Sequence, residues 1–350
     1  METISFARGA PAPELLPLEE LADCAGTVLA RDGKTILSYG AGAGYTPLRE
    51  LVGEWFQVHP GRVMLTNGGL QALDLITKAV ARGNMMLCEW PTYDRAYKLF
   101  LNAGASIVVA TVDENGVDPD NVETALVGHA NPSMIYVIPT FQNPTGATLS
   151  EERRVRLAKF AELRNGLIVE DDPYSLVRFE GESLPPLLYY TGERSVYMSS
   201  FSKTIAPGLR VGFTILPERL AEMIPAAATD TYITPVLLSQ AVACEFIRRG
   251  SFEPNLRRMN EQLMLRRDAM LAALDKHFAG AKWSKPEGGY FIWLELPPGT
   301  DSNEILARAD GVTAVGGTEF IASANCMRLA FSFAAADEMD AGIERLANAV

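Results

Sequence analysis

Leu167-Ile168-Val169-Glu170-Asp171-Asp172-Pro173-Tyr174 is a short apolar run that stops in three successive carboxylates, a proline and a tyrosine. Its apolar residues are consecutive instead of alternating, so a strand formed here is covered on both faces, as in a parallel sheet flanked by helices. Six more runs of the same texture accompany it: Val63 to Thr66, Met85 to Glu89, Ser106 to Ala110, Met134 to Ile138, Val196 to Ser199 and Val211 to Leu216. Helical patterns lie between them, with legible starts at Thr46, expected to cap Pro47 to Phe56, and at Ser150, expected to cap Glu151 to Leu163. The middle of the chain is therefore expected to be an α/β domain on a mostly parallel seven-stranded sheet.

The texture changes after about residue 250. Leu256, Met259, Leu263, Met270, Leu271, Leu274 and Phe278 keep a helical spacing along a charged segment from Pro254 to His277. Beyond it, Gly289 to Leu296 reads as a strand, Asn303 to Ala309 as a helix, Met327 to Ser332 as a strand and Asp337 to Asn348 as a final helix. The expected division is a large domain over 41–250, a smaller α+β domain over 251–350, and an N-terminal segment, 1–40, that contributes to the small domain.

Composition narrows the function before any motif is read. Thirty-one basic against forty-three acidic side chains leave a formal charge of −12, with 48% hydrophobic content. That is too apolar for a disordered chain and too acidic for a protein that works on phosphate backbones. No run approaches the apolar length of a membrane span, and the start lacks the basic and apolar stretches of a secretory signal, so a cytoplasmic protein is expected. Cys24, Cys88, Cys244 and Cys326 are scattered, which argues against a zinc site or disulfides.

Gly40-Ala41-Gly42-Ala43-Gly44, after a possible strand and before a helix, has the outline of a dinucleotide fingerprint, but Tyr45 takes the third glycine position and the match fails. The stronger signal is a set of polar segments that each follow the C-terminal end of a strand, the edge where open α/β sheets bind ligands. Thr66-Asn67-Gly68-Gly69-Leu70-Gln71 turns from strand into helix, where free N–H groups and the helix dipole can cradle a phosphate; an ordinary glycine turn has the same sequence. Trp90-Pro91-Thr92-Tyr93 delivers an aromatic ring to that edge, or a core tyrosine. In Phe141-Gln142-Asn143-Pro144-Thr145-Gly146 the proline holds Asn143 extended, although a plain Asn-Pro turn explains the local shape equally well. Glu170, Asp171 and Asp172 crowd three carboxylates before Tyr174, as a solvated loop or a metal site also would.

The fifth segment runs Ser199-Ser200-Phe201-Ser202-Lys203-Thr204-Ile205-Ala206-Pro207-Gly208-Leu209-Arg210. A lysine at the rim of such a sheet can be desolvated, lose its proton and attack an aldehyde, whereas the planar fork of Arg210 suits a phosphate dianion. Together the five segments ask for a ligand that carries a phosphate, an aromatic ring and an aldehyde.

On these residues the sequence resembles the fold-type I, pyridoxal-phosphate-dependent aminotransferases of class I/II, closest in texture to 2-aminoadipate-type enzymes and to the aminotransferase-like domains of certain bacterial regulators. The resemblance extends from Ser5-Phe6-Ala7-Arg8-Gly9 and Pro11-Ala12-Pro13-Glu14-Leu15-Leu16-Pro17 to Cys326-Met327-Arg328-Leu329. It implies that Lys203 is the lysine that condenses with the cofactor aldehyde and shuttles a proton, and that Asp171, not Asp172, keeps the pyridine nitrogen protonated. It implies that Tyr174 and Asn143 bond the ring oxygen, that Tyr93 stacks on the ring, and that Gly68, Gly69, Ser200, Ser202 and Arg210 hold the phosphate. Arg328 matches the arginine that grips the substrate α-carboxylate, with Asn143 and Gly9 beside it. Tyr39 resembles the tyrosine that reaches the phosphate of a neighbouring subunit, which implies a homodimer with shared active sites and a dimer contact for the segment 1–40. One departure is Gly69-Leu70, where many relatives carry a hydroxyl residue. Arg8 is expected in a surface salt bridge, with an acidic substrate side chain as the alternative partner.

The activity implied is transfer of an amino group between an L-amino acid and a 2-oxo acid, with no metal and no nucleic-acid or membrane partner. The alternative within the same cofactor class is a lyase or cyclase of specialised metabolism. A non-catalytic cofactor-sensing domain of a regulator would need a basic DNA-binding part, against the acidic balance of this chain.

Overall fold

In the computed structural model, which describes residues 3–350, the seven expected strands join one sheet. Their order is Val63–Thr66, Gly212–Ile215, Ser195–Ser200, Leu167–Asp171, Met134–Val137, Met85–Trp90 and Ser106–Asp113. Of these, Gly212–Ile215 alone runs antiparallel to its neighbours. The expected seven strands become eight, because Gly116–Val117 folds back on Ser106–Asp113 as a hairpin. Two residues after a turn carry no periodic pattern, so this edge strand had no signal in the sequence.

The consecutive apolar residues of Leu167–Asp171 have a physical reason. Ile168 packs into the cluster of Leu87, Ile135, Val137, Leu157 and Phe160 on one face of the sheet, and Val169 into that of Leu73, Met86, Met134, Tyr136 and Val196 on the other. Fully burying each such side chain stabilises the fold by about 1.5–3 kcal/mol. Because most strands run in parallel, their C-terminal ends, and the five polar segments that follow them, lie along one edge of the sheet.

The helix after Ser150 spans Glu151–Arg164, with the Ser150 hydroxyl accepting the Arg153 N–H at 3.4 Å. At the other expected cap the structure differs. Thr46 is the first residue of helix Thr46–Phe56, and Tyr45 precedes it without a side-chain cap. The glycine run 40–44 follows a helix, Leu18–Ile36, and not a strand, which removes the remaining likeness to a dinucleotide fingerprint.

The long helix Phe252–His277 leads to a four-stranded antiparallel sheet of Lys282–Trp283, Phe291–Glu295, Cys326–Ala330 and Val315–Gly316. Helices Ser302–Arg308 and Met339–Ala347 accompany it. The N-terminal segment divides in two: Ile4–Ser5 pairs in parallel with Val312–Thr313 as a separate two-stranded sheet, whereas the helix Leu18–Ile36 packs against Leu237–Arg248. All four cysteines are buried free thiols.

Candidate active site

A cavity of about 550 Å³ opens at the C-terminal edge of the large sheet and is closed on its far side by residues of the small one. Of the residues expected from the sequence, Gly9, Gly69, Tyr93, Asn143, Asp171, Tyr174, Ser200, Ser202, Lys203, Arg210 and Arg328 line it. A larger groove of about 850 Å³, walled by Trp90, Trp283 and Trp293, collects none of these eleven.

At one end lie the hydroxyl residues Ser200 and Ser202 and the turn Asn67-Gly68-Gly69. Gly68 sits at φ 93°, left-handed territory open to glycine, and a Cβ there would overlap the Arg210 guanidinium. Its missing side chain is thus what allows Arg210 to close over the turn. Arg210 Nη1 donates to Ser202 Oγ at 3.4 Å and Nη2 to the Asn67 carbonyl at 3.3 Å. Helix Gly69–Val80 starts at the same point, and its first N–H groups have no intrahelical acceptor. A guanidinium, two hydroxyls and a helix N-terminus make a site for a dianion.

The three carboxylates after Val169 separate sharply. Glu170 is turned into the helix layer, where it accepts the Leu188 N–H at 3.3 Å and stands 3.7 Å from Arg154. Asp172 is occupied by the Ser175 N–H and the Tyr197 hydroxyl, both at 3.0 Å. Asp171 alone faces the cavity, held by the Tyr136 hydroxyl at 2.7 Å. Burial, reinforced by the charge of Asp172, pushes its pKa up to about 6 against the opposing pull of the Tyr136 hydroxyl and of the Lys203 charge. A carboxylate in that condition is stabilised by taking up a proton or by a positive group of a ligand facing it.

Tyr93 and Tyr174 face the same space, and burial pushes both phenols up, Tyr93 to about 12, so both remain neutral donors. The amide of Asn143 is oriented by Arg328, whose Nη1 donates to Oδ1 at 2.9 Å. An arginine offers only donors, so the oxygen must face it and the amide Nδ2 is left toward the cavity.

Lys203 lies in the centre, its Nζ donating to the Gly9 carbonyl at 2.6 Å. Burial, reinforced by the charges of Arg328 and Arg210, lowers its pKa to about 8. Its backbone is tied down separately: the Tyr290 hydroxyl donates to the Lys203 carbonyl at 2.8 Å, and Asn255 Nδ2 to the Thr204 carbonyl at 3.0 Å.

Arg328 reaches in from the strand Cys326–Ala330. Its guanidinium lies 4.2 Å from the Phe291 ring centroid and 4.9 Å from that of Phe320. Nη2 donates to the Ala7 carbonyl at 2.9 Å, while Nε is buried with no partner. A buried unpaired donor on a fixed arginine fits an anionic ligand group.

Two expected residues stand apart. Gly68 borders the cavity without lining it, because Arg210 covers it, and Tyr39 is 82% exposed and away from the cavity of its own chain. Arg8 makes no salt bridge among the described residues; its guanidinium lies 4.7 Å over Phe333, an aromatic partner that ion-pair reasoning overlooks. Conversely, Tyr136, Tyr290, Phe291 and Phe320 all serve the site but read as core in the sequence, since nothing in a single strand says which neighbour its rings will meet.

The family profile described as aminotransferase class I and II matches residues 4–346. The aromatic-amino-acid aminotransferase of Thermococcus litoralis is 35% identical, with 100% of this chain and 88% of that one covered. The 2-aminoadipate transaminase of Thermus thermophilus is 36% identical over 99% of this chain and 90% of its own. Among solved structures, the α-aminoadipate aminotransferase of Thermus thermophilus, in complex with N-(5′-phosphopyridoxyl)-L-leucine, superposes with a TM-score of 0.94 at 34% identity, covering 99% of this chain and 92% of that one. A match over nearly every residue, on a fold whose parallel strands deliver a lysine and a carboxylate to a cavity that an arginine enters from the small antiparallel sheet, places this chain in the class I and II aminotransferase family.

Proposed function

We propose that this chain moves an amino group between an L-amino acid and a 2-oxo acid, with pyridoxal 5′-phosphate as its cofactor. The observation that carries the reading is one cavity in which a buried lysine with a loosened proton accompanies a buried carboxylate that forms no close ion pair among the described residues. The donor set fits the cofactor from end to end: a dianion cradle, an acceptor for a protonated ring nitrogen, donors for a ring oxygen, and an amine. Bound there, the cofactor supplies an aldehyde that takes up the amino group and a ring that draws off the electrons left when the substrate Cα loses its proton.

The residues of the chain account for the rest. Arg210, Ser200, Ser202 and the turn Gly68-Gly69 bind the phosphate. Asp171 holds a proton on the ring nitrogen, with Tyr136 fixing the carboxylate. Asn143 Nδ2 and the Tyr174 hydroxyl donate to the ring oxygen, and Tyr93 covers the ring face. Lys203 has its proton loosened toward neutral pH, so its amine can take a proton from the substrate Cα and give it to the carbon that carried the aldehyde, across the nitrogen between them. Arg328 has committed only two of its five N–H groups, which leaves a fork for the substrate α-carboxylate; a side chain at Gly9 would strike the Phe291 ring against which that guanidinium lies.

That the relatives are named for aromatic amino acids and 2-aminoadipate supports an amino-acid donor with a long side chain, for which Leu70, Val315 and Phe320 offer an apolar wall. The test is spectral. Each effective amino-acid donor should change the absorbance of the holo-protein once, and continued turnover should require a 2-oxo acid. Sustained turnover without an acceptor would point instead to a lyase or cyclase.

The working unit in this reading is a homodimer with shared sites. Supporting it, Leu37, Tyr39, Ile233 and Val236 are all more than half exposed on adjoining segments, and the Val236 N–H donates to Asn67 Oδ1 beside the phosphate turn. Light scattering should return twice 38.1 kDa, and a fully active monomer would contradict it. Among the described residues no helix is long and apolar enough to cross a membrane. The four buried free thiols support a reducing, cytoplasmic setting.

A further inference from the structure

Glu89 is the penultimate residue of the strand Met85–Trp90, with none of its surface exposed and no ion-pair partner among the described residues. Its Oε2 accepts the Ile138 N–H at 3.0 Å and Gln142 Nε2 at 3.2 Å, while Oε1 is buried with no partner. Burial pushes its pKa up to about 8, consistent with a neutral acid under the site. None of the roles given above uses it.

Gln142 extends the connection. Its Nε2 also donates to the Pro91 carbonyl at 2.7 Å, and its Oε1 accepts the Thr145 N–H at 2.9 Å and the Thr145 hydroxyl at 2.8 Å. Nε2 of this buried side chain therefore links two segments, 89–91, which leads to Tyr93, and 138–145, which carries Asn143, while its Oε1 braces the second segment on itself. Between them Phe141 sits at φ 51°, a left-handed conformation that a residue with a large side chain keeps only where its surroundings over-determine it.

We propose that Glu89 and Gln142 are positioning residues of the active site, whose shared hydrogen bonds tie the Tyr93 segment to the Asn143 turn and so hold the Asn143 amide against Arg328 and toward the cofactor ring oxygen. The inference rests on the reading of the site given above. It gives the buried Glu89 side chain a use that needs no charge: Oε2 accepts two donors at once, which a carboxyl or an amide oxygen can do and an aliphatic side chain cannot.

The experiment uses the holo-protein loaded with pyridoxal phosphate and follows its absorbance against pH. A donor on the ring oxygen favours the oxygen without its proton, so losing the Asn143 contact should raise the midpoint of the absorbance change, for Asn143→Ala by about one pH unit, the equivalent of one lost charge-assisted hydrogen bond. Glu89→Leu and Gln142→Leu should raise it in the same direction by roughly half a unit or more, and Glu89→Gln, which retains the accepting oxygen, should restore the midpoint to within about 0.2 unit of the parent. A role confined to stability would move melting temperature and leave the midpoint alone. If the leucine variants do not fold, Thr145→Val, which deletes only the hydroxyl bond to Gln142, should give a smaller shift of the same sign. A shift in Asn143→Ala with an unchanged midpoint in every folded variant of Glu89, Gln142 and Thr145 overturns the proposal. An Asn143→Ala protein without a shift, or a parent that takes up no cofactor, overturns the underlying reading instead.

Discussion

Lys203→Ala is expected to bind pyridoxal phosphate only reversibly, without the absorbance of the covalently held cofactor, and to lose on the order of 10⁴-fold in turnover, the upper end of the range for a lost general acid–base group. The fold should survive. The side chain makes one hydrogen bond, to the Gly9 carbonyl, whereas the bond that anchors the loop comes from the Tyr290 hydroxyl to the backbone carbonyl of residue 203, which alanine retains. Removing a buried amine also relieves its desolvation, so the melting temperature of the apoprotein should be no lower than that of the parent. The same burial fixes a pH dependence. An amine attacks an aldehyde only when uncharged, and because the pKa of Lys203 is lowered to about 8, the uncharged fraction grows as pH rises through that value. Cofactor uptake by the apoprotein should therefore accelerate with pH around a midpoint near 8; a rate still climbing toward pH 10 would mean an ordinary exposed lysine.

Asp171→Ala should retain cofactor and substrate binding but lose on the order of 10³-fold or more in kcat, as expected when a preorganised electrostatic partner of the developing charge is removed. Without a carboxylate beside it, the ring nitrogen gives up its proton and the ring holds electrons poorly. Asp172 cannot take over, although it is the next residue, because both its oxygens are engaged by Ser175 and Tyr197 on the far side of the strand end. Asp171→Ala also strips the Tyr136 hydroxyl of its acceptor, so Tyr136→Phe should reproduce a mild part of the loss. Near-normal turnover in Asp171→Ala would contradict the assignment.

How far the sequence reached can be traced residue by residue. Unbroken apolar runs such as Leu167 to Val169 revealed the parallel sheet because both faces of each strand are buried, and that requirement is written locally. The same logic put the polar segments at one edge, since parallel strands must end together. Choosing Asp171 over Asp172 came from family likeness; the physical reason, that Tyr197 and Ser175 claim the second carboxylate, depends on a neighbouring strand and a following turn. Tyr136 supports Asp171 only through the register between Met134–Val137 and Leu167–Asp171, which pairs Tyr136 with Val169. Glu89 and Gln142 meet across 53 residues of chain, and Phe320 meets Arg328 through the fold of the small sheet, so no local pattern announces either. Gly116–Val117 was too short to have a period, and Thr46 has the chemistry of a cap but lies one residue inside its helix.

Every step assigned to this site requires that one amine, that of Lys203, carries the cofactor. Borohydride treatment of the pyridoxal-phosphate-loaded protein, followed by peptide mass spectrometry, locates that attachment. A single phosphopyridoxyl group is expected on the peptide that contains Ser202-Lys203-Thr204, and the same group on any other lysine, or on none, would contradict the assignment.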